Sequence, residues 1–248
     1  MDRFIVLGSA NAIPKLDQEN THLYAESGEI RILVDCGDNA LVSLQKNRLD
    51  PNLITDLVIT HFHPDHAGSL PNLLMGMWLE KRKLKLTIHG LEFTIDRAKA
   101  LLGLFGWNNW QNMYPVEFNI LPETGEGLII KDKGFYVESR MVKHLIPTVG
   151  LRFSFPDGKT VTYSCDTEPC DSLMELAIGT QILVQETAGP GKGHTSAEEA
   201  GKIAAAVNAQ QLVLIHYDQR AGVSNLLGQA AGSFKGEIIA ASDGMMLI

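Results

Sequence analysis

Apolar residues fall into short runs separated by polar turns, and the spacing within each run predicts its element. Residues 4–7 are continuously apolar, as a strand buried on both faces requires, and lead into the loop Gly8-Ser9-Ala10-Asn11-Ala12. Residues 30–34 predict a second strand. Residues 39–47, with Leu41 and Leu44 three apart, predict a helix. The run 56–60 predicts a buried strand that ends at His61. Helical spacing over 67–80 and 92–105 brackets a strand over 84–89, and residues 106–114, rich in Trp and Asn, read as a surface loop. Alternation over 135–143 leads to His144. Strands over 151–155 and 160–164 flank Pro156-Asp157-Gly158-Lys159, a hairpin signal, and the second ends near Asp166. Residues 181–185 form a strand ending at Glu186. Ser196, with Glu199 three residues on, makes a capping box for a helix to about residue 207. The buried strand 211–215 ends at His216, and 237–241 is the last strand. Several strands in series with helices between them give an α/β or α+β chain. With no repeat, low-complexity tract or linker, residues 1–248 read as a single domain.

Composition narrows the function classes. The 248 residues are 45% hydrophobic, enough for a sizeable core. The formal net charge of −8 gives no global attraction to nucleic acid or anionic membranes. Three cysteines (Cys36, Cys165 and Cys170), an odd number with no CxxC pair, argue against a disulfide framework and a cysteine zinc site. The expected compartment is the reducing cytoplasm. The apolar start is too short for a signal peptide, and no apolar stretch reaches membrane-spanning length, so no membrane partner is expected.

The chemistry concentrates in His61-Phe62-His63-Pro64-Asp65-His66. Three imidazoles and a carboxylate within six residues offer nitrogen and oxygen ligands suited to Zn, Mn or Fe. That many polar groups at a strand end are costly to desolvate without a partner. A loop between a strand and a helix can aim neighbouring side chains at two ions, and Pro64 stiffens it. Six residues cannot complete two sites, and His144, Asp166 and His216, each at the end of a predicted strand, supply the number and kind of ligand still needed. Lys81, Arg82, Lys83 and Lys85 read as a solvated helix end, with a phosphate-facing patch as the alternative. Cys165, with no general base beside it in the motif, reads as a packing residue.

The HxHxDH loop followed by a distant His, Asp and His resembles the metallo-β-lactamase superfamily. The resemblance implies an α+β, four-layer αβ/βα sandwich. It also implies two divalent metal ions, with zinc first and Mn or Fe as alternatives. His61, His63 and His144 would bind one ion; Asp65, His66 and His216 the other; Asp166 would bridge both. Within the superfamily, Leu7-Gly8-Ser9-Ala10-Asn11-Ala12-Ile13-Pro14, Leu33-Val34-Asp35-Cys36-Gly37, Gly68-Ser69-Leu70-Pro71 and Cys165-Asp166-Thr167 are similar to segments of the ribonuclease Z group, whose counterpart of the last is Gly-Asp-Thr. Gly193-His194-Thr195-Ser196 resembles that group's His-Ser-Thr segment, which implies a catalytic role for His194, with Asp65 as the second catalytic candidate. Glu186 would orient a histidine from behind or cap a turn.

The chain departs from that group in two places. Only 21 residues separate His144 from Asp166, which leaves no room for the arm with which ribonuclease Z grips tRNA. Asp218-Gln219-Arg220 replaces the group's Ser-Arg-Tyr. These readings imply a hydrolase that uses a metal-bridging hydroxide on a small-molecule or nucleotide substrate, with tRNA itself in question and a homodimer suggested by resemblance alone. A lactone, thioester or sulfate ester hydrolase shares the same ligand set. A non-catalytic binding module fits the complete set poorly. A flavodiiron protein would need an appended flavin domain, for which the length leaves no room.

Overall fold

The computed structural model describes residues 2–248 and contains fourteen strands and seven α-helices among them. In chain order, the first part holds β1 (Arg3–Gly8), β2 (His22–Ser27), β3 (Ile30–Val34), α1 (Ala40–Lys46), β4 (Asp56–Val58), α2 (Pro64–Ala67), α3 (Leu70–Leu79), β5 (Leu86–Gly90), α4 (Glu92–Leu104) and β6 (Val116–Ile120). The second part holds β7 (Gly127–Asp132), β8 (Phe135–Val142), β9 (Thr148–Ser154), β10 (Thr160–Tyr163), α5 (Asp171–Ala177), β11 (Ile182–Glu186), α6 (Ala197–Ala206), β12 (Gln211–Ile215), α7 (Val223–Ala231), β13 (Glu237–Ala240) and the short terminal strand β14 (Met245–Met246). Two compact units result among the described residues: 2–121 with 242–248, and 122–241.

Each unit has one seven-stranded sheet built on the same plan. In the first, the order is β14-β1-β2-β3-β4-β5-β6. Strands β14 to β3 pair antiparallel, and β3 to β6 pair parallel. In the second, the order is β13-β12-β11-β10-β9-β8-β7. There β7 to β10 pair antiparallel, and β10 to β13 pair parallel. Parallel pairing needs crossover helices, which cover sheet faces and select continuous apolar strands. Accordingly β4 is buried throughout, and only the first residue of β11 and of β12 escapes full burial. In open sheets of this type, functional groups gather beyond the carboxyl ends of the parallel strands. His61 follows β4, Asp166 follows β10, Glu186 ends β11 and His216 follows β12.

The predicted hairpin is present as β9 and β10, turning through Gly158 at φ +87°. The capping box is also present: Ser196 Oγ accepts from Glu199 N, and the Glu199 carboxylate accepts from Ser196 N. The helix predicted over 67–80 is α3, which begins at Leu70 with Pro71 in its first turn, a position where proline's missing N–H costs nothing.

One reading is borne out and one is corrected. Residues 106–114 are a surface loop whose aromatics pack on their own unit: Trp110 stacks on Trp78 at 5.3 Å between centroids, and buried Tyr114 donates its hydroxyl to Leu74 O at 3.3 Å. Arg82 is not a solvated charge but is 3% exposed. Its guanidinium donates to the carbonyls of Leu84 (2.8 Å), Pro51 (3.2 Å), Asn52 (2.6 Å), Lys85 (3.0 Å) and Ile54, and packs over the Tyr114 ring. Burial lowers its pKa, against the opposing pull of Tyr114 and Asp50.

Candidate metal centre

In the first unit, His61, His63, Asp65 and His66 occupy the turn from β4 into α2. His61 and His66 are fully buried, and His63 and Asp65 are partly so. Asp35, at the end of β3, organises this set from beneath. Its Oδ1 accepts from Thr60 N at 2.8 Å, and its Oδ2 lies 2.8 Å from Thr60 Oγ1 and 2.8 Å from His66 Nδ1. Burial pushes the Asp35 carboxyl upward, while the His66 imidazole and the Thr60 donors pull it back. With Nδ1 donating to a carboxylate, the lone pair of the His66 ring resides on Nε2, as a metal ligand requires. That nitrogen lies 3.5 Å from Asp65 Oδ2. His61 Nε2 lies 3.1 Å from His63 Nδ1, and Thr60 Oγ1 lies 3.2 Å from His61 Nδ1.

Gly37 makes this turn possible. A Cβ at position 37 would sit 1.7 Å from the Asp65 carbonyl oxygen, so the loop bearing the histidines rests directly on glycine backbone. Gly37→Ala should displace residues 64–66 and reduce bound metal per chain severalfold, as measured by elemental analysis after dialysis. Unchanged metal content would show that the turn tolerates the shift.

In the second unit, the ring of His144, just past β8, is fixed by its Nδ1 donating to Gly193 O at 2.6 Å. Its Nε2 therefore carries the lone pair and lies 3.9 Å from Asp166 Oδ2. His216 Nε2 lies 3.3 Å from the same oxygen. Donor atoms of His144, Asp166 and His194 all fall within 4.8 Å of one another. His194 Nδ1 lies 3.2 Å from Glu186 Oε1. Glu186 also accepts from the backbone N–H groups of Thr167 (3.2 Å), Ala188 (2.8 Å) and Thr195 (2.8 Å). It thus both orients a histidine and ties the β10–α5 loop to both ends of the β11–α6 loop. Burial raises its carboxyl to about 7, against the pull of the His194 ring.

The separations within these sets test whether a metal ion fits. In a tetrahedral site with bonds of about 2.0–2.1 Å, neighbouring donor atoms lie about 3.3 Å apart. The pairs His61–His63, Asp65–His66 and Asp166–His216 stand at 3.1, 3.5 and 3.3 Å. Two facing imidazole lone pairs repel unless a proton or a cation lies between them. The donor types, the spacings of these three pairs and the orienting partners fit divalent ions, while His144 and Asp166 stand wider, at 3.9 Å.

Three residues here lie in left-handed backbone that the sequence does not announce: Asp35 (φ 64°), Cys165 (φ 53°) and His216 (φ 55°). Each stands just past a strand, and each sharp turn aims its own or the next side chain away from the sheet. Cys165 is fully buried, as expected of a packing residue, and occupies the position where ribonuclease Z-like sequences carry glycine. Asp218 accepts from Arg220 N at 2.9 Å and pairs with its guanidinium, so this departure from the ribonuclease Z pattern is a self-capped turn.

Comparison with known proteins identifies the class. Over 99% of this chain and 98% of its own, the structure superimposes on the metallo-β-lactamase fold protein YhfI from Bacillus subtilis, with a TM-score of 0.84 and 22% identity. A diphosphatase of the PhnP family follows at TM-score 0.80 and 18% identity, covering 100% of this chain and 98% of that one. In sequence, ribonuclease Z from Ignicoccus hospitalis is 25% identical over 271 aligned positions, spanning 88% of each chain. The fold is the αβ/βα metallo-β-lactamase fold, and the chain is a hydrolase of that class. The model of the family described as Anti-Pycsar protein Apyc1 matches residues 3–232, and the chain belongs to that family. No helix among the described residues is long and apolar enough to cross a membrane.

Proposed function

We propose that this chain, working as one domain over residues 1–248, hydrolyses phosphodiesters in small, nucleotide-like or RNA-derived substrates with the aid of two divalent ions, zinc being the first candidate. His61, His63 and His144 would hold one ion, and Asp65, His66 and His216 the other, with Asp166 shared. When bound, such ions supply Lewis-acid charge and acidify water toward a pKa of about 7.

The protein's own groups do the rest. The observation that carries the reading is the Glu186–His194 pair beside Asp166 and His144. By accepting from His194 Nδ1, the Glu186 carboxylate favours the imidazolium form. The opposite nitrogen, Nε2–H, then delivers a proton to the departing oxygen of the ester. Asp35 and the Gly193 carbonyl keep the proton off the metal-facing nitrogens of His66 and His144. The β9–β10 hairpin occupies the interval that would otherwise hold a tRNA-gripping arm, which favours a small substrate. The names of the ribonuclease Z relative and the diphosphatase structure support phosphorus–oxygen chemistry.

The test compares metal-loaded and chelator-stripped protein on bis(p-nitrophenyl) phosphate. Turnover by the loaded form alone is expected, with two ions per chain by elemental analysis. His194→Ala should lower kcat by roughly 10²- to 10⁴-fold with metal content unchanged. No turnover by protein holding two ions would sink the phosphodiester reading and direct the search to lactones, thioesters and sulfate esters.

A further inference from the structure

The turn that leads into His194 is poorly suited to hold itself. Residues 189–193 are Gly-Pro-Gly-Lys-Gly, and glycine loses more conformational freedom on ordering than any other residue. Gly189 and Gly193 both lie at positive φ, 125° and 85°. The turn's own backbone bonds, Gly189 N to Thr195 O and His194 N to Gly191 O, are both 3.3 Å, long for N–H···O contacts. Yet the Gly193 residue has two tasks. Its carbonyl accepts from His144 Nδ1 at 2.6 Å and so sets that ring's tautomer. Its backbone also decides where the next residue, His194, stands. The fit is close, since a Cβ on Gly193 would lie 2.9 Å from His144 Nδ1.

A side chain from outside the turn reaches this residue. Glu168 Oε1 accepts from Gly193 N at 2.9 Å, a bond to a charged acceptor and therefore stronger than the two within the turn. Glu168 is itself anchored beside His144. Its backbone N–H donates to Lys143 O at 2.8 Å, and its second carboxylate oxygen, Oε2, meets Lys143 Nζ at 2.6 Å. Lys143 immediately precedes His144. The His144–Gly193 bond is thus closed into a ring: its histidine end is tied to Glu168 through Lys143, and its glycine end through the Glu168 carboxylate. The Lys143 side chain is 65% exposed, and an ion pair open to water contributes little by itself. The bond to Gly193 N is what gives Glu168 leverage on the site.

We propose that Glu168 is a positioning residue: it holds Gly193 so that the glycine carbonyl keeps the proton on His144 Nδ1 and the His194 ring stays beside Asp166. The inference rests on the metal-dependent phosphodiesterase reading, and two of its three readouts need no turnover. The test compares Glu168→Ala, Glu168→Gln and Lys143→Ala in the full chain, with thermal melts to control for folding. In stripped protein, heteronuclear NMR of the imidazole nitrogens should find the His144 proton on Nδ1 in the wild type and divided between the two nitrogens in Glu168→Ala. Competition for zinc against a chromogenic chelator should show an affinity about 10-fold lower in Glu168→Ala, as for loss of an outer partner of a ligand. Glu168→Gln keeps an oxygen that can accept from Gly193 N and should restore both readouts. Lys143→Ala should stay within about 2-fold of wild type. On bis(p-nitrophenyl) phosphate, Glu168→Ala should lower kcat with KM nearly unchanged.

A wild-type tautomer and zinc affinity in folded Glu168→Ala would overturn the proposal. Equal losses in Glu168→Ala and Lys143→Ala would also overturn it, by showing that Glu168 acts only as half of an ion pair. So would a folded Glu168→Gln that fails to recover, since the charge and not the bond to Gly193 would then matter. If no variant, wild type included, hydrolyses the phosphodiester while tautomer and zinc affinity still follow residue 168, the reaction assigned to the site falls and the positioning role stands.

Discussion

Asp35→Asn should weaken metal binding by about 10- to 100-fold, the usual cost of losing a partner that orients a ligand, although position 35 contributes no ligand of its own. The native carboxylate receives protons on both sides, from Thr60 and from His66 Nδ1. An asparagine oxygen can still accept from Thr60 N, but its NH₂ group then faces His66. The imidazole must become the acceptor at Nδ1, and its proton moves to Nε2, the nitrogen required for the metal. The substitution thus keeps shape and volume while selecting the wrong tautomer. Competition against a chromogenic chelator measures the loss, and a thermal melt of the stripped protein controls for folding. Affinity equal to wild type in a folded variant would show that Asp35 is only a structural tie.

Arg82→Ala should have the largest effect on stability and none on the chemistry. It removes the donors of five backbone carbonyls, of which those of Pro51 and Ile54 accept in buried surroundings. Each buried acceptor left unpaired costs about 1–3 kcal/mol, so a total of about 3 kcal/mol or more is expected. For a chain of this size that corresponds to a fall in Tm of roughly 6–12 °C. Arg82→Lys should recover only part of it, since an ammonium has three donors where the guanidinium has five in a fixed fork. A drop of less than 2 °C for Arg82→Ala would mean that water replaces the guanidinium at little cost.

The contrast between these two residues shows what the sequence carries. The HxHxDH loop was legible because its density of ligands is hard to explain otherwise, the strands that lead into His61 and His216 because they are apolar and end abruptly, and the strand that leads into His144 because it alternates. Asp35 and Arg82 were not legible as structural centres. A carboxylate after a strand and an arginine in a basic run look the same whether they face solvent or a buried partner, and the partners of Arg82 are backbone atoms with no sequence mark. Strand β2 was missed for a related reason. His22, Glu26 and Ser27 break its apolar pattern, yet all are buried, Glu26 because Arg3 meets it at 2.6 Å. Helices α5 and α7 are short, and α7 shows the core little beyond Leu226 and Ala230. Edge strands β6 and β7 are largely open to solvent, and the apolar run of β7 is only the three residues Leu128-Ile129-Ile130.

The left-handed backbone at Asp35, Cys165 and His216 sets how this site can vary. An L-residue in that conformation costs about 1–2 kcal/mol, least for Asn and Asp and nothing for glycine, while branching at Cβ makes it prohibitive. In a saturation library, position 165 should therefore accept Gly or Ser and reject Thr, which differs from Ser only by the branch at Cβ. Position 35 already holds one of the tolerated types, so its chemistry and its conformation coincide. Position 216 has no such latitude, because the residues easiest on the backbone there bring no imidazole. Drift across the site is thus expected to be uneven, freest at 165 and most restricted at 216.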